Sequence, residues 1–183
     1  MEYLEAIDGL HLFDIKTFSD DRGYFRESFV DRRFFEQAKI KSDFVQDNEV
    51  YSKHAYTLRG LHFQRKPNGQ AKYVRVLAGS IFDVAVDLRK NSPTFGRWKS
   101  FILKAEEAQA VFVPEGFAHG YLTLSPETIV TYKVNNYYAP ESEGGVIWND
   151  AKLAINWPLA GNAPILSDKD LLLPALAEIG EVF

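Results

Sequence analysis

Apolar residues in this chain come in short alternating bursts, cut every eight to twelve residues or so by turn chemistry. The runs LHLFDIKTF, GYFRESFV, TLRGLHFQ, KYVRVLAG, SIFDVAVDL, WKSFILK, AVFVP, GYLTL, TIVTYKV and GVIWN each read as a strand. Between them lie SDDRG, RKPNGQ, AGS, RKNSPTFG, PEG and SPET, which are turn sequences. Many short strands at this spacing predict an antiparallel sandwich or barrel. Two stretches break the rhythm. DRRFFEQAKI predicts a short helix after the first strands. SDKDLLLPALAEIG predicts a C-terminal helical segment, with Ser167 as its N-cap and Asp170 three residues on. The expected fold is therefore mainly β: an antiparallel jelly-roll barrel with one early helix and a C-terminal helical segment. No repeat, low-complexity tract or linker interrupts the pattern, so a single domain over 1–183 is expected.

Composition narrows the function classes. Of the 183 residues, 46% are hydrophobic and 14% aromatic, enough for a folded core. A formal net charge of -4 argues against a non-specific nucleic-acid binder, while leaving room for a local basic site. There is no cysteine, so thiolate nucleophiles, disulfides and cysteine-ligated metals are excluded. The opening EYLEAIDGLHLFDI has neither a basic start nor a long apolar run, and no other stretch reads as a membrane span. A cytoplasmic location without membrane attachment is the expectation.

Four histidines carry most of the candidate chemistry: His11, His54, His62 and His119. Strict alternation in LRGLHFQ puts Leu58, Gly60, His62 and Gln64 on one face and Arg59, Leu61 and Phe63 on the other. His62 thus shares its face with a glycine and a glutamine, as a ligand cavity inside a barrel would require. A satisfied core histidine fits the same pattern. PEGFAHGYL, ending in His119 and its strand, resembles the second motif of the cupin jelly rolls. The segment matching the first motif, GSIFDVAVDL, holds no histidine. His119 alone cannot make a transition-metal site, which leaves acid–base chemistry without metal or cofactor as the expected use.

Taken in order, DDRGYFRESF, FVQDN, LRGLHFQ, QAKYVRVLAGSIFDVAVDLRKNSPTFG, PEGFAHGYLTL, TYKVNNYYAPESEGGVIWND, INWP and LSDKD resemble the dTDP-4-dehydrorhamnose 3,5-epimerase family. The resemblance runs from about residue 8 to about residue 173. It implies a metal-free cupin-type jelly roll, usually a homodimer, acting on a nucleotide-linked 4-keto-6-deoxy sugar. It further implies that His62 is the catalytic base and Asp170 its carboxylate partner, Tyr132 the opposing acid, and Lys72 the group that stabilises the enolate oxygen. For binding, it implies Arg22 and Arg59 toward the diphosphate, with Glu27, Gln46 and Asn48 lining the pocket. His119 would lie near the sugar, and Tyr138, beside Tyr137, would pack near the nucleotide or sugar.

Local readings compete at several of these positions. Asp170 also completes a capping box with Ser167, and Asp168 is its near neighbour; Tyr132 suits a buried core; Lys72 opens a strand and suits solvent. Alternation points Arg59 away from His62 unless a bulge intervenes at Gly60. Val50 and the segment SKHAYT depart from the family pattern next to the expected site, which bears on substrate identity. Epimerisation of a single carbon, a GDP- or CDP-linked substrate, a 3,4-ketoisomerase and a non-enzymatic sugar-binding jelly roll are the alternatives to epimerisation at carbons 3 and 5.

Overall fold

The computed structural model describes residues 7, 9–41 and 43–183. Twelve strands and two short helices follow one another as β1 His11–Asp14, β2 Thr17–Asp20, β3 Gly23–Arg26, α1 Asp31–Ala38, β4 Gln46–Ser52, β5 Leu58–Gln64, β6 Lys72–Ala78, β7 Ser80–Asp87, β8 Trp98–Lys104, β9 Gln109–Val113, β10 Phe117–Thr123, β11 Thr128–Val134, β12 Glu143–Gly145 and α2 Asp168–Leu171. Two five-stranded antiparallel sheets form the jelly roll, in the orders β1-β9-β6-β11-β4 and β12-β5-β10-β7-β8. The β2–β3 hairpin stands apart as a two-stranded ribbon.

Between the sheets lies one core, in which Val74 and Val130 of the first sheet meet Ile81, Ala85, Leu103 and Phe117 of the second. The outer face of each sheet is covered as well, which is why several strands read as continuous apolar runs instead of alternating. On the first sheet the cover is α1. Its Phe34 and Ala38, one turn apart, bury themselves against Phe13, Tyr73 and Phe112. On the second sheet, Leu58, Leu61 and Phe63 are covered by Leu153 and Trp157 and by the chain end at Val182.

The C-terminal segment differs from expectation. Helix is confined to the single turn Asp168–Leu171, and the apolar residues after it pack as turns over the second sheet. Pro174 lacks an amide donor, and its carbonyl instead accepts from the Ile147 N–H at 2.9 Å. The Asp150 carboxylate accepts from Leu176 N at 2.8 Å, so tertiary bonds replace the helical ladder. The GVIWN strand likewise begins earlier, at Glu143, because the Ile147 N–H is engaged by Pro174 and Asp150 organises a turn.

Candidate active site

Two regular features of the second sheet bring the histidines together. β5 and β10 are neighbours, and His119 stands directly across from His62. Two residues further along β10, Tyr121 faces Arg59, which is three residues before His62 on β5. The extra residue is a bulge at Gly60–Leu61, and it reverses the alternation that separated Arg59 from His62. Both now face the cavity, while Leu58 turns with Leu61 and Phe63 into the outer core. Gly60 has φ 121°, and a β-carbon there would come within 2.6 Å of the Gly120 Cα, so the bulge requires the bare backbone.

The chain returns to this wall from far along the sequence. Ile165 pairs in parallel with Thr57, its carbonyl accepting from Leu58 N at 2.9 Å, and α2 then begins beside β5. Ser167 caps the turn by accepting from Asp170 N at 3.2 Å. The Asp170 side chain is thereby free of capping and reaches His62, Oδ1 to Nε2, at 2.5 Å. Cap and histidine bond coexist, whereas Asp168 is exposed. Burial alone would raise the Asp170 carboxyl. The bond and charge of His62, with bonds from Ser167 and the Gly60 N–H, outweigh it and hold the group below the ordinary carboxylate range. An ionised Asp170 fixes the proton on Nε2 and leaves Nδ1 of His62 with its lone pair.

The opposite wall belongs to the first sheet. Tyr132 pairs with Val74 across β11 and β6, and Lys72, two residues from Val74, shares their inward face. Burial pushes Lys72 down to about 8, against the opposing pull of Asp83 and Glu143. Burial raises the Tyr132 phenol, which Arg59 only partly offsets, so it stays protonated at neutral pH. A cavity of about 230 Å³ is bounded by Arg59, His62, Lys72, His119, Tyr121 and Tyr132. A second, of about 360 Å³, shares His62, Lys72 and Tyr132 and adds Gln46, Asn48, Tyr138 and Glu143. His119 is itself buried and bonded through Nε2 to Asp83 at 2.8 Å.

Nine of the eleven residues singled out in the sequence, Asp170 among them, therefore line one or both of these neighbouring spaces. Arg22 and Glu27 lie elsewhere. Arg22 sits exposed at the hairpin tip, paired with Asp20 at 2.5 Å, and Glu27 is tied to Arg33 at 2.5 Å beside α1. The hairpin is fastened through Arg26 to the Ala105 carbonyl at 2.8 Å, on the turn between β8 and β9, and neither Arg22 nor Glu27 lines the spaces around His62. Among the lining residues that escaped the sequence reading are Glu143, Lys169 and Tyr121. Glu143 accepts from the Tyr138 hydroxyl at 2.9 Å and pairs with Lys169, making a charged rim beside His62. Lys169 adjoins Asp170 in SDKD, a signal available in the sequence. Glu143 and Tyr121 carried none.

A jelly roll with a carboxylate-held histidine on one wall and a protonated tyrosine and a lysine on the other is built to move protons on and off carbon. It belongs among the isomerases that work through an enolate. The comparisons make that specific: the family model for dTDP-4-dehydrorhamnose 3,5-epimerase matches residues 5–178, and the chain belongs to that family. A dTDP-4-dehydrorhamnose 3,5-epimerase of Salmonella typhimurium is 48% identical over 171 residues, covering 93% of this chain and 92% of the relative. The crystal structure of the Bacillus anthracis epimerase with TDP and PPi bound superposes with a TM-score of 0.87 at 50% identity, covering 91% of this chain and 94% of that one. The Legionella pneumophila enzyme in complex with dTDP-4-keto-L-rhamnose gives 0.90 at 45% identity, with 94% and 90% covered.

Proposed function

We propose that this protein epimerises carbons 3 and 5 of a dTDP-4-keto-6-deoxyhexose on the way to L-rhamnose-type sugars. The ketone at carbon 4 acidifies the hydrogen on each neighbouring carbon. Nδ1 of His62 takes that proton, and the electron pair moves onto the carbonyl oxygen as an enolate. The imidazolium formed is stabilised by Asp170 at 2.5 Å. Lys72 neutralises the enolate oxygen from the facing sheet. Tyr132 returns a proton to the opposite face of the carbon, the enolate collapses to the ketone, and the centre is inverted.

One observation carries this reading: the held histidine and the protonated tyrosine project from different sheets into one cavity with Lys72 on its wall. Arg59 and Lys169, beside the same space, suit a diphosphate. His119 would contact the sugar, and Gln46, Asn48 and the exposed Tyr138 would flank the nucleotide side. A homodimer accounts for Arg22 and Glu27. The β2–β3 hairpin exposes Phe18, Tyr24 and Phe25 around Arg22, a surface suited to a second copy whose cavity it would complete. Among the described residues no helix is long and apolar enough to cross a membrane. A cytoplasmic setting, where nucleotide sugars are made, suits the reading.

The test is incubation of the purified protein with dTDP-4-keto-6-deoxyglucose in deuterated water. Deuterium at carbons 3 and 5 of an inverted product is expected. Label at one carbon alone would reduce the reading to a single-carbon epimerase, and no label at either would refute it.

A further inference from the structure

Among the described residues, two buried side-chain polar atoms have no hydrogen-bond partner: Oδ1 of Asp83 and the hydroxyl of Tyr121. They are not scattered. Asp83 and Tyr121 face each other in register across β7 and β10, and Tyr121 lines the cavity beside His62 and Tyr132. Ser52 is near enough to influence the Tyr121 phenol but makes no bond of proper geometry with it. Other buried carboxylates of this chain are well bonded: Asp87 accepts from Arg89, Ser92 and Thr94, and Asp150 from three backbone amides. Leaving such a group unpaired costs about 1–3 kcal/mol, so two facing each other, Tyr121 on the cavity wall and Asp83 directly behind it, indicate a reserved contact.

We propose that Tyr121 is a further substrate-contacting residue, and that its hydroxyl and the free oxygen of Asp83 together receive one hydroxyl group of the sugar. The pairing selects that chemistry. A protonated phenol donates and a carboxylate oxygen accepts, and a sugar hydroxyl is the group that needs one of each. Phosphate is disfavoured, because its oxygens would bring acceptors against the acceptor oxygen of Asp83. Asp83 is already oriented, its other oxygen being held by His119 Nε2 at 2.8 Å. Neither unpaired atom is open to solvent, so the contact forms as the Tyr121 ring turns toward the bound sugar.

The inference rests on the sugar occupying this cavity, and Tyr121→Phe tests it separately from that reading. If the hydroxyl has no protein partner, the ligand-free variant melts at or above the wild-type temperature. With dTDP-4-keto-6-deoxyglucose its KM rises about three- to tenfold, the range of one neutral hydrogen bond, while Kd for dTDP alone is unchanged. An unchanged KM, an equal loss for dTDP alone, or a lower melting temperature would each overturn the assignment. Wild-type protein run alongside reports on the reaction itself: no turnover there would refute the function, not the contact.

Discussion

Lys72 is expected to weaken the protein that contains it. In the folded chain its ammonium sits at about 8, down from 10.5, because burial costs it more than Asp83 and Glu143 return. A drop of that size corresponds to ~3 kcal/mol of lost stability whenever the unfolded lysine is charged and the folded one must be charged too. It is an upper bound, since the side chain borders an open cavity. Lys72→Met keeps the length of the side chain and removes the charge. At pH 7 the variant is therefore expected to melt higher than wild type, by up to about 6–10 °C for a chain of this size, while epimerisation collapses. The pH dependence follows from the sign. With the folded pKa below the unfolded one, the unfolded state holds more protons between pH 8 and 10.5, so wild-type stability from this group rises with pH across that window. The gap between the two proteins should be full at and below pH 7 and fall under about 1 kcal/mol by pH 10. Differential scanning calorimetry of both, from pH 6 to 10, measures it. A variant that melts lower than wild type at pH 7, or a gap that does not change with pH, would refute the argument that this lysine is held charged against its environment.

Other consequences can be checked in the same preparations. His62→Ala and Asp170→Asn should each cut deuterium exchange by about 10²–10⁴-fold, and the double variant should lose little more than His62→Ala; additive losses would separate the two residues. Tyr132→Phe removes the returning proton but not the base, so label should still enter at the abstracted positions without inversion, as NMR of the recovered sugar would reveal; loss of both would move Tyr132 out of the acid role. Gly60→Ala puts a β-carbon 2.6 Å from the Gly120 Cα at φ 121°, and a melting temperature within a degree or two of wild type would show that the bulge is not needed.

Alternation and turn residues were enough to find most strands and the helix at Asp31–Ala38, because those signals are local: a face is set by the side chain's own period. His62 could be singled out for the same reason, as an unusual residue in a recognisable run, whereas the SDKD segment read locally as a helix cap and Asp170 came forward only through the family resemblance. Other features lay beyond any local period. Arg59 shares the His62 face only because two strands approach so closely at Gly60 and Gly120 that β5 must bulge. The C-terminal apolar run is not helical because the outer face of the second sheet offers it bonds and cover that a helix could not match. Asp170 lies 108 positions from His62, and Glu143 and Tyr121 join the cavity through strand neighbours the sequence does not name. Sequence by itself determined where most strands run and, through its ordered motifs, which family the chain resembles and so which residues were candidates for chemistry. Tertiary structure alone decided which of them share a wall, since register, bulge and chain return are fixed by packing between segments distant in the chain.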